Sequence, residues 1–155
     1  MTAKSSALKS YEKIQALPGG NFIFSKIISR KAPYFRSIDP RIIELRPGRM
    51  AATLRKRKAV TNHIGTVHAI AMCNLCEYVG GTLMEISRPP TTRWIPRGME
   101  VKYLAKAETD LTGICELKEV DWSKKSSVIC HVDVQNTAGE TVMTADIDMY
   151  ISPMR

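Results

Sequence analysis

The spacing of apolar positions changes several times along the chain. Leu8, Tyr11, Ile14 and Leu17 recur at helical intervals and predict a first helix, stopped by Pro18-Gly19-Gly20. A second short helix is predicted over roughly Phe22 to Ser29, carrying Phe22, Ile23, Ile27 and Ile28, and Pro33 and Pro40 bound an irregular stretch after it. Ile42 to Leu45 and Met50 to Arg57 read as two strands around the turn dipeptide Pro47-Gly48. In the second of them Met50, Ala52 and Leu54 alternate with Ala51, Thr53 and Arg55, a period of two with one apolar and one increasingly basic face. From Thr66 to about Ile86 apolar residues occupy nearly every helical face, the mark of a helix buried on most sides, and Arg88-Pro89-Pro90 stops it. Gly80 and Gly81 each cost such a helix about 1 kcal/mol, so close approach to a sheet or a neighbouring helix is expected to compensate. Past Pro90 the pattern is β throughout: Trp94 to Ala107, Leu111 to Asp121, Ser126 to Gln135 and Thr141 to Ile151, joined by short connections suited to antiparallel hairpins.

This order predicts an α+β fold in which a curved antiparallel sheet wraps one long central helix. A chain of 155 residues fits a single domain, residues 1–155, with residues 1–37 as an N-terminal helical extension. Its 44% hydrophobic and 25% charged content argues against disorder. No apolar run approaches the roughly 20 residues that span a bilayer, and no signal-peptide core is present, so a cytoplasmic protein with no membrane partner is expected. Met1 to Leu17 is basic and mildly amphipathic like a transit peptide, but Glu12 argues against that reading. Cys73, Cys76, Cys115 and Cys130 have apolar neighbours and are expected to be reduced thiols.

Charge adds a regional feature. Between Arg30 and Lys58 ten basic residues face two acids, Asp39 and Glu44, so this segment carries the whole net charge of +8. Such an excess suits nucleic acid, a membrane surface or a phosphorylated small molecule, with a solvated basic face as the competing reading.

The candidate chemistry lies in Asn62-His63-Ile64-Gly65-Thr66-Val67-His68-Ala69 and in Glu77. Glu77 interrupts an otherwise apolar helix. Burial without a partner would raise its pKa and make it a candidate base or nucleophile; the competing reading is a wet helix edge. The first N–H groups of the helix lack intrahelical acceptors and, with the helix dipole, suit an oxyanion. Asn62 offers an amide to orient a water or carbonyl, or serves as a turn residue. Ala69 and Glu77 are eight residues apart, about 12 Å along a helix, so one helix does not present both to one carbon. An antiparallel copy does, which predicts a two-fold homodimer.

Asn62, Gly65, His68 and Glu77 resemble the motif of hotdog-fold thioesterases related to the phenylacetate-pathway enzymes, Asn-x-x-Gly-x-x-His-Gly-Gly followed by an acidic residue eight positions after the first closing glycine. The stretch NHIGTVHAIAMCNLCE is more similar still to a separate branch of that superfamily. The resemblance implies a hotdog fold, over roughly Ile38 to Met154, and hydrolysis of an acyl-CoA thioester. In that reading Glu77 is general base or nucleophile, the Ala69 N–H polarises the carbonyl, Asn62 orients water or thioester, Gly65 shapes the substrate loop, and His68 hydrogen-bonds the loop or acts directly. Ala69 and Ile70 replace the two glycines, and Pro96 stands where some relatives carry a hydroxyl residue. The protein would act as a homodimer or dimer of dimers, without metal or other cofactor and without nucleic acid. Arg55, Lys56, Arg57 and Lys58 would meet the phosphates of coenzyme A, with alternate members reaching them from one strand face. The rival function is a non-catalytic acyl-CoA-binding or regulatory protein; the residue placements of hotdog dehydratases do not match. Cys73-Asn74-Leu75-Cys76 lies inside the helix with no second pair to complete a zinc set, so packing is expected. Trp94 and Trp122 are read as core or interface residues.

Overall fold

A computed structural model describes residues 3–154. Two helices open the chain, α1 (Ser6–Gln15) and α2 (Gly20–Lys31). Ser5 caps α1 by accepting the Leu8 N–H at 3.1 Å. Gly19 holds φ +72°, and a Cβ on Gly20 would lie 2.2 Å from the Ile14 carbonyl oxygen. The glycine pair therefore does more than stop the first helix: Gly20 opens the second, which runs beyond the predicted Ser29 to Lys31. Tyr11 and Phe24 pack with their rings tilted at 55° and their centres 5.0 Å apart. The Ser25 hydroxyl, fully buried, donates to the Asn21 carbonyl (2.7 Å) and accepts the Ile42 N–H (2.9 Å), docking α2 on the first strand.

The hairpin of β1 (Arg41–Arg46) and β2 (Arg49–Leu54) turns at Pro47-Gly48, where Gly48 takes φ +84°. β2 ends at Leu54, not Arg57. The Lys56 N–H goes to the Asp110 carboxylate at 2.8 Å instead of to a neighbouring strand, and a 3-10 turn, Lys58–Val60, follows. The expected alternation of Arg55, Lys56, Arg57 and Lys58 on one strand face is therefore corrected: the first three form a loop and Lys58 opens the 3-10 turn.

The central helix, α3, spans Ala69–Ser87. It starts three residues later than the apolar pattern predicts, because the N–H groups before it are spent in extended pairing. Thr61 bridges Val67, the Val67 N–H reaches the Ala107 carbonyl (2.8 Å), and the His68 N–H reaches that of Val60 (2.8 Å). After α3 come β3 (Thr92–Tyr103), β4 (Leu111–Glu116), β5 (Ser126–Gln135) and β6 (Thr141–Pro153). β3 stops short of Ala107 because the N–H groups of Leu104 and Ala105 both turn to the Val142 carbonyl, and β4 stops short of Asp121 as the Leu117 N–H turns to Gly48.

All pairings are antiparallel, in the order β1-β2-β4-β5-β6-β3. The sheet curls around α3, whose Leu75, Cys76, Tyr78, Val79, Leu83 and Met84 are fully buried. The glycines of α3 are accounted for by contact: a Cβ on Gly80 would sit 3.1 Å from Ile147, and one on Gly81 3.1 Å from the Trp94 ring. A sheet wrapped round one buried helix, with its two N-terminal helices laid alongside, is the hotdog arrangement in α+β form.

Candidate active site

The loop before α3 is built around Asn62. Its side-chain oxygen accepts the N–H groups of Ile64 and Thr66 (3.1 Å each), and its amide nitrogen donates to the Thr66 hydroxyl at 2.8 Å. The Gly65 N–H closes a turn on the Asn62 carbonyl (3.1 Å), and Gly65 takes φ +78°, a backbone state that favours glycine. Asn62 thus serves as the turn residue, with one amide hydrogen unbonded among the described residues.

His68 is the N-cap of α3. Its Nδ1 accepts the Ile70 N–H at 3.0 Å, which leaves the ring proton on Nε2. With the Ile70 N–H taken, the neighbouring N–H of Ala69 has no acceptor among the described residues. Ile70 itself turns outward, 55% exposed.

Glu77 lies two turns further along α3 and is exposed in the single chain, which corrects the expectation of a carboxylate buried within one subunit. The other turns of the helix bury nearly all their side chains, so its open side is a narrow stripe of Ile70, Cys73 and Glu77 at spacings of three and four. Among the described residues Glu77 has no ion-pair partner. The Cys73 sulfur meets the Tyr103 hydroxyl at 3.7 Å, bringing the end of β3 to the same stripe.

Glu77 also stands at the edge of a half-open cavity of about 530 Å³ between α1, α2 and α3. Ile14, Phe24, Ile28 and Phe35 line it, with Gly81, Glu85 and Trp94 along the α3 side. Burial raises the Glu85 carboxyl, but bonds from Arg88 (2.6 and 2.9 Å) and the Trp94 indole N–H (3.0 Å) more than reverse this and hold it below the ordinary carboxylate range. The motif residues alone gave no sign of this cavity; its signal is the run Phe24, Ile27, Ile28, which turns one apolar side of α2 towards α3.

Of the basic loop, Lys56 Nζ donates to the Glu108 carbonyl (2.9 Å) and Arg57 to that of Ser37 (2.8 Å), while the Arg55 and Lys58 side chains are exposed and make no such contact among the described residues. Pro96 sits in β3 beside a bulge at Arg97, opposite Met149. Cys76 is buried and Cys73 partly so; both are free thiols, burial pushes the Cys76 thiol up, and no metal-holding cluster occurs among the described residues. Also among them, no helix is long and apolar enough to cross a membrane.

The antiparallel sheet curled on a single helix, entered through a histidine-capped turn, makes this a hotdog-fold protein. Residues 20–151 match the family described as a domain of unknown function, DUF4442, and the chain belongs to that family. A crystal structure of a genomics target, APC5556, is 41% identical, superposes with a TM-score of 0.83, and the match covers 95% of this chain and 98% of that one. PA5026 of Pseudomonas aeruginosa, called a protein of unknown function and probable thioesterase, is 20% identical with a TM-score of 0.76 over 88% of this chain and 97% of that one. A thioesterase family protein of Silicibacter pomeroyi is 16% identical, TM-score 0.71, over 83% and 96%. At these last identities the likeness is one of fold. No curated protein matches the chain.

Proposed function

We propose that the protein hydrolyses acyl-CoA thioesters as a two-fold homodimer, with Glu77 of one subunit working against the α3 N-terminus of the other. The observation that carries this reading is Glu77 itself: a carboxylate with no ion-pair partner among the described residues, on the open stripe of a helix otherwise packed in the core. Proteins that share the fold are named thioesterases, which supports the same reaction class.

Glu77 takes a proton from water as the water oxygen attacks the thioester carbonyl carbon. The carbonyl oxygen gains the negative charge and is met by the Ala69 N–H, the donor His68 leaves free by capping Ile70. Collapse expels the coenzyme A thiolate, which takes up the proton held by Glu77, and releases the carboxylic acid. The remaining amide hydrogen of Asn62 orients the water or the carbonyl. Arg55 and Lys58 reach coenzyme A phosphates from the loop, and Lys56 and Arg57 add charge while bound to carbonyls.

The seam is supported by what one chain leaves open. β3 is a sheet edge twelve residues long, one side of its ladder unpaired among the described residues, and it borders the Ile70, Cys73, Glu77 stripe through Tyr103. The test is thiol release from a panel of acyl-CoA esters. Glu77→Gln is expected to lower kcat by roughly 10²–10⁴-fold, with sedimentation giving a dimer or a pair of dimers. Tight coenzyme A binding without thiol release, or a monomer at working concentration, overturns the proposal.

A further inference from the structure

The cavity beside α3 has a form that the hydrolytic reading does not require. It starts at Glu77 and follows α3 through Gly81 to Glu85, three positions each one turn apart, so it runs for about 12 Å. Its other wall is α1 and α2, which contribute Ala7, Ile14, Phe24 and Ile28. At the middle of the α3 side Gly81 carries no side chain, and the Trp94 ring packs where one would lie, so the wall there is the face of an indole. At the far end the lining turns polar: Lys31 stands there with Glu85, whose carboxylate is already held by Arg88 and by the Trp94 indole N–H. The result is a groove with a carboxylate at its mouth, apolar walls and a polar stop.

We propose that this groove holds the acyl chain of the substrate and that the substrate class is a medium-chain aliphatic acyl thioester. The inference rests on the assignment of Glu77 as the base, since that residue fixes which end of the groove receives the thioester. An aliphatic chain suits the walls because most of the lining is apolar, with Ser6, Ser10 and Thr82 the uncharged polar exceptions between the charged ends. The medium length follows from the stop: a chain extending past Glu85 must displace an ion pair that already satisfies its own hydrogen bonds. The N-terminal helices therefore measure the substrate. Binding tightens about fourfold with each methylene that enters the groove and stops tightening once the chain reaches Glu85.

The test is titration calorimetry of the CoA esters from acetyl through octanoyl and decanoyl to palmitoyl on the Glu77→Gln protein, which keeps the groove but does not consume the ligand. Affinity is expected to climb with length and level off at about decanoyl. Ala7→Trp, which fills the groove from α1, is expected to lower the ratio of decanoyl-CoA to acetyl-CoA affinity at least tenfold. Ile28→Trp fills it from α2 and carries the same expectation should the first variant fail to fold. A length series that is flat, or one that either folded variant leaves unchanged, overturns the groove. Thiol release measured in parallel on the unaltered protein reports on Glu77 separately. A length-dependent affinity with no turnover supports the groove and removes the base; turnover with no length dependence removes the groove alone.

Discussion

His68 shows how one residue separates a structural from a chemical role. Its ring accepts the Ile70 N–H and so starts the helix that carries Glu77. His68→Ala is expected to cost about 1 kcal/mol in urea unfolding, the usual worth of an N-cap. His68→Asn should recover most of that stability and most of the thiol release, because the asparagine oxygen accepts the same N–H. If asparagine restores the stability and not the turnover, the imidazole takes part in the chemistry directly. The motif made His68 conspicuous, but the role was legible only once the helix start was placed: with the start at Thr66, as the apolar pattern suggests, His68 would be an interior residue. The same shift decides Ala69, whose N–H is open because its neighbour's is taken. Glu77 was legible as an anomaly, one charge in an apolar run, with a wet helix edge as the competing reading; the pattern did not decide between them, because a narrow open stripe and a fully buried helix differ by only one or two side chains per turn, and Ile70 is apolar although it faces out.

At the level of elements, strands and helices followed from periodicity, and their ends did not. β2, β3, β4 and α3 all stop or start where a backbone N–H finds a partner distant in sequence, as Lys56 finds Asp110 and Val67 finds Ala107. Local pattern does not encode such partners. Pairing between strands also sets a pH dependence. On the outer sheet surface His131 of β5 lies between Asp146 of β6 at 2.6 Å and Asp133 at 3.4 Å. The bond to Asp146 raises its pKa above 6.5, burial opposes this, and the charge of Asp133 adds to the rise. The protonated ring thus favours the folded state: its contribution is complete below the ordinary value and disappears as pH climbs through the raised one. The melting-temperature gap between the unaltered protein and His131→Asn should accordingly narrow as pH rises from below 6.5 through the raised value. A gap that stays constant across this window would show that the imidazolium is not what stabilises the pairing.

For the molecule as a whole, the strand order leaves two edges of opposite kind. β3 is long and beside the proposed reaction centre, whereas β1 lies at the far side within the basic segment. The fold class was legible from the order of elements, and the composition of the segment from Arg30 to Lys58 was plain, but which edge each would occupy was not, because a crossover through α3 separates β2 from β3. Ile70→Lys, which puts a charge on the open stripe of α3, is expected to shift the protein towards monomer in a sedimentation dilution series and to lower thiol release in step. Full activity in a monomeric Ile70→Lys protein would mean that one subunit is sufficient. Joining two copies through β3 would set both β1 edges outward, at opposite tips. Such a particle has a cationic pole at each end and, on its middle, the carboxylates of Glu100, Asp133, Asp146 and Asp148. It would grip a sulfonated bead by either tip and could bridge two beads at once, so its retention on cation-exchange resin should exceed what a uniformly spread charge of the same total would produce.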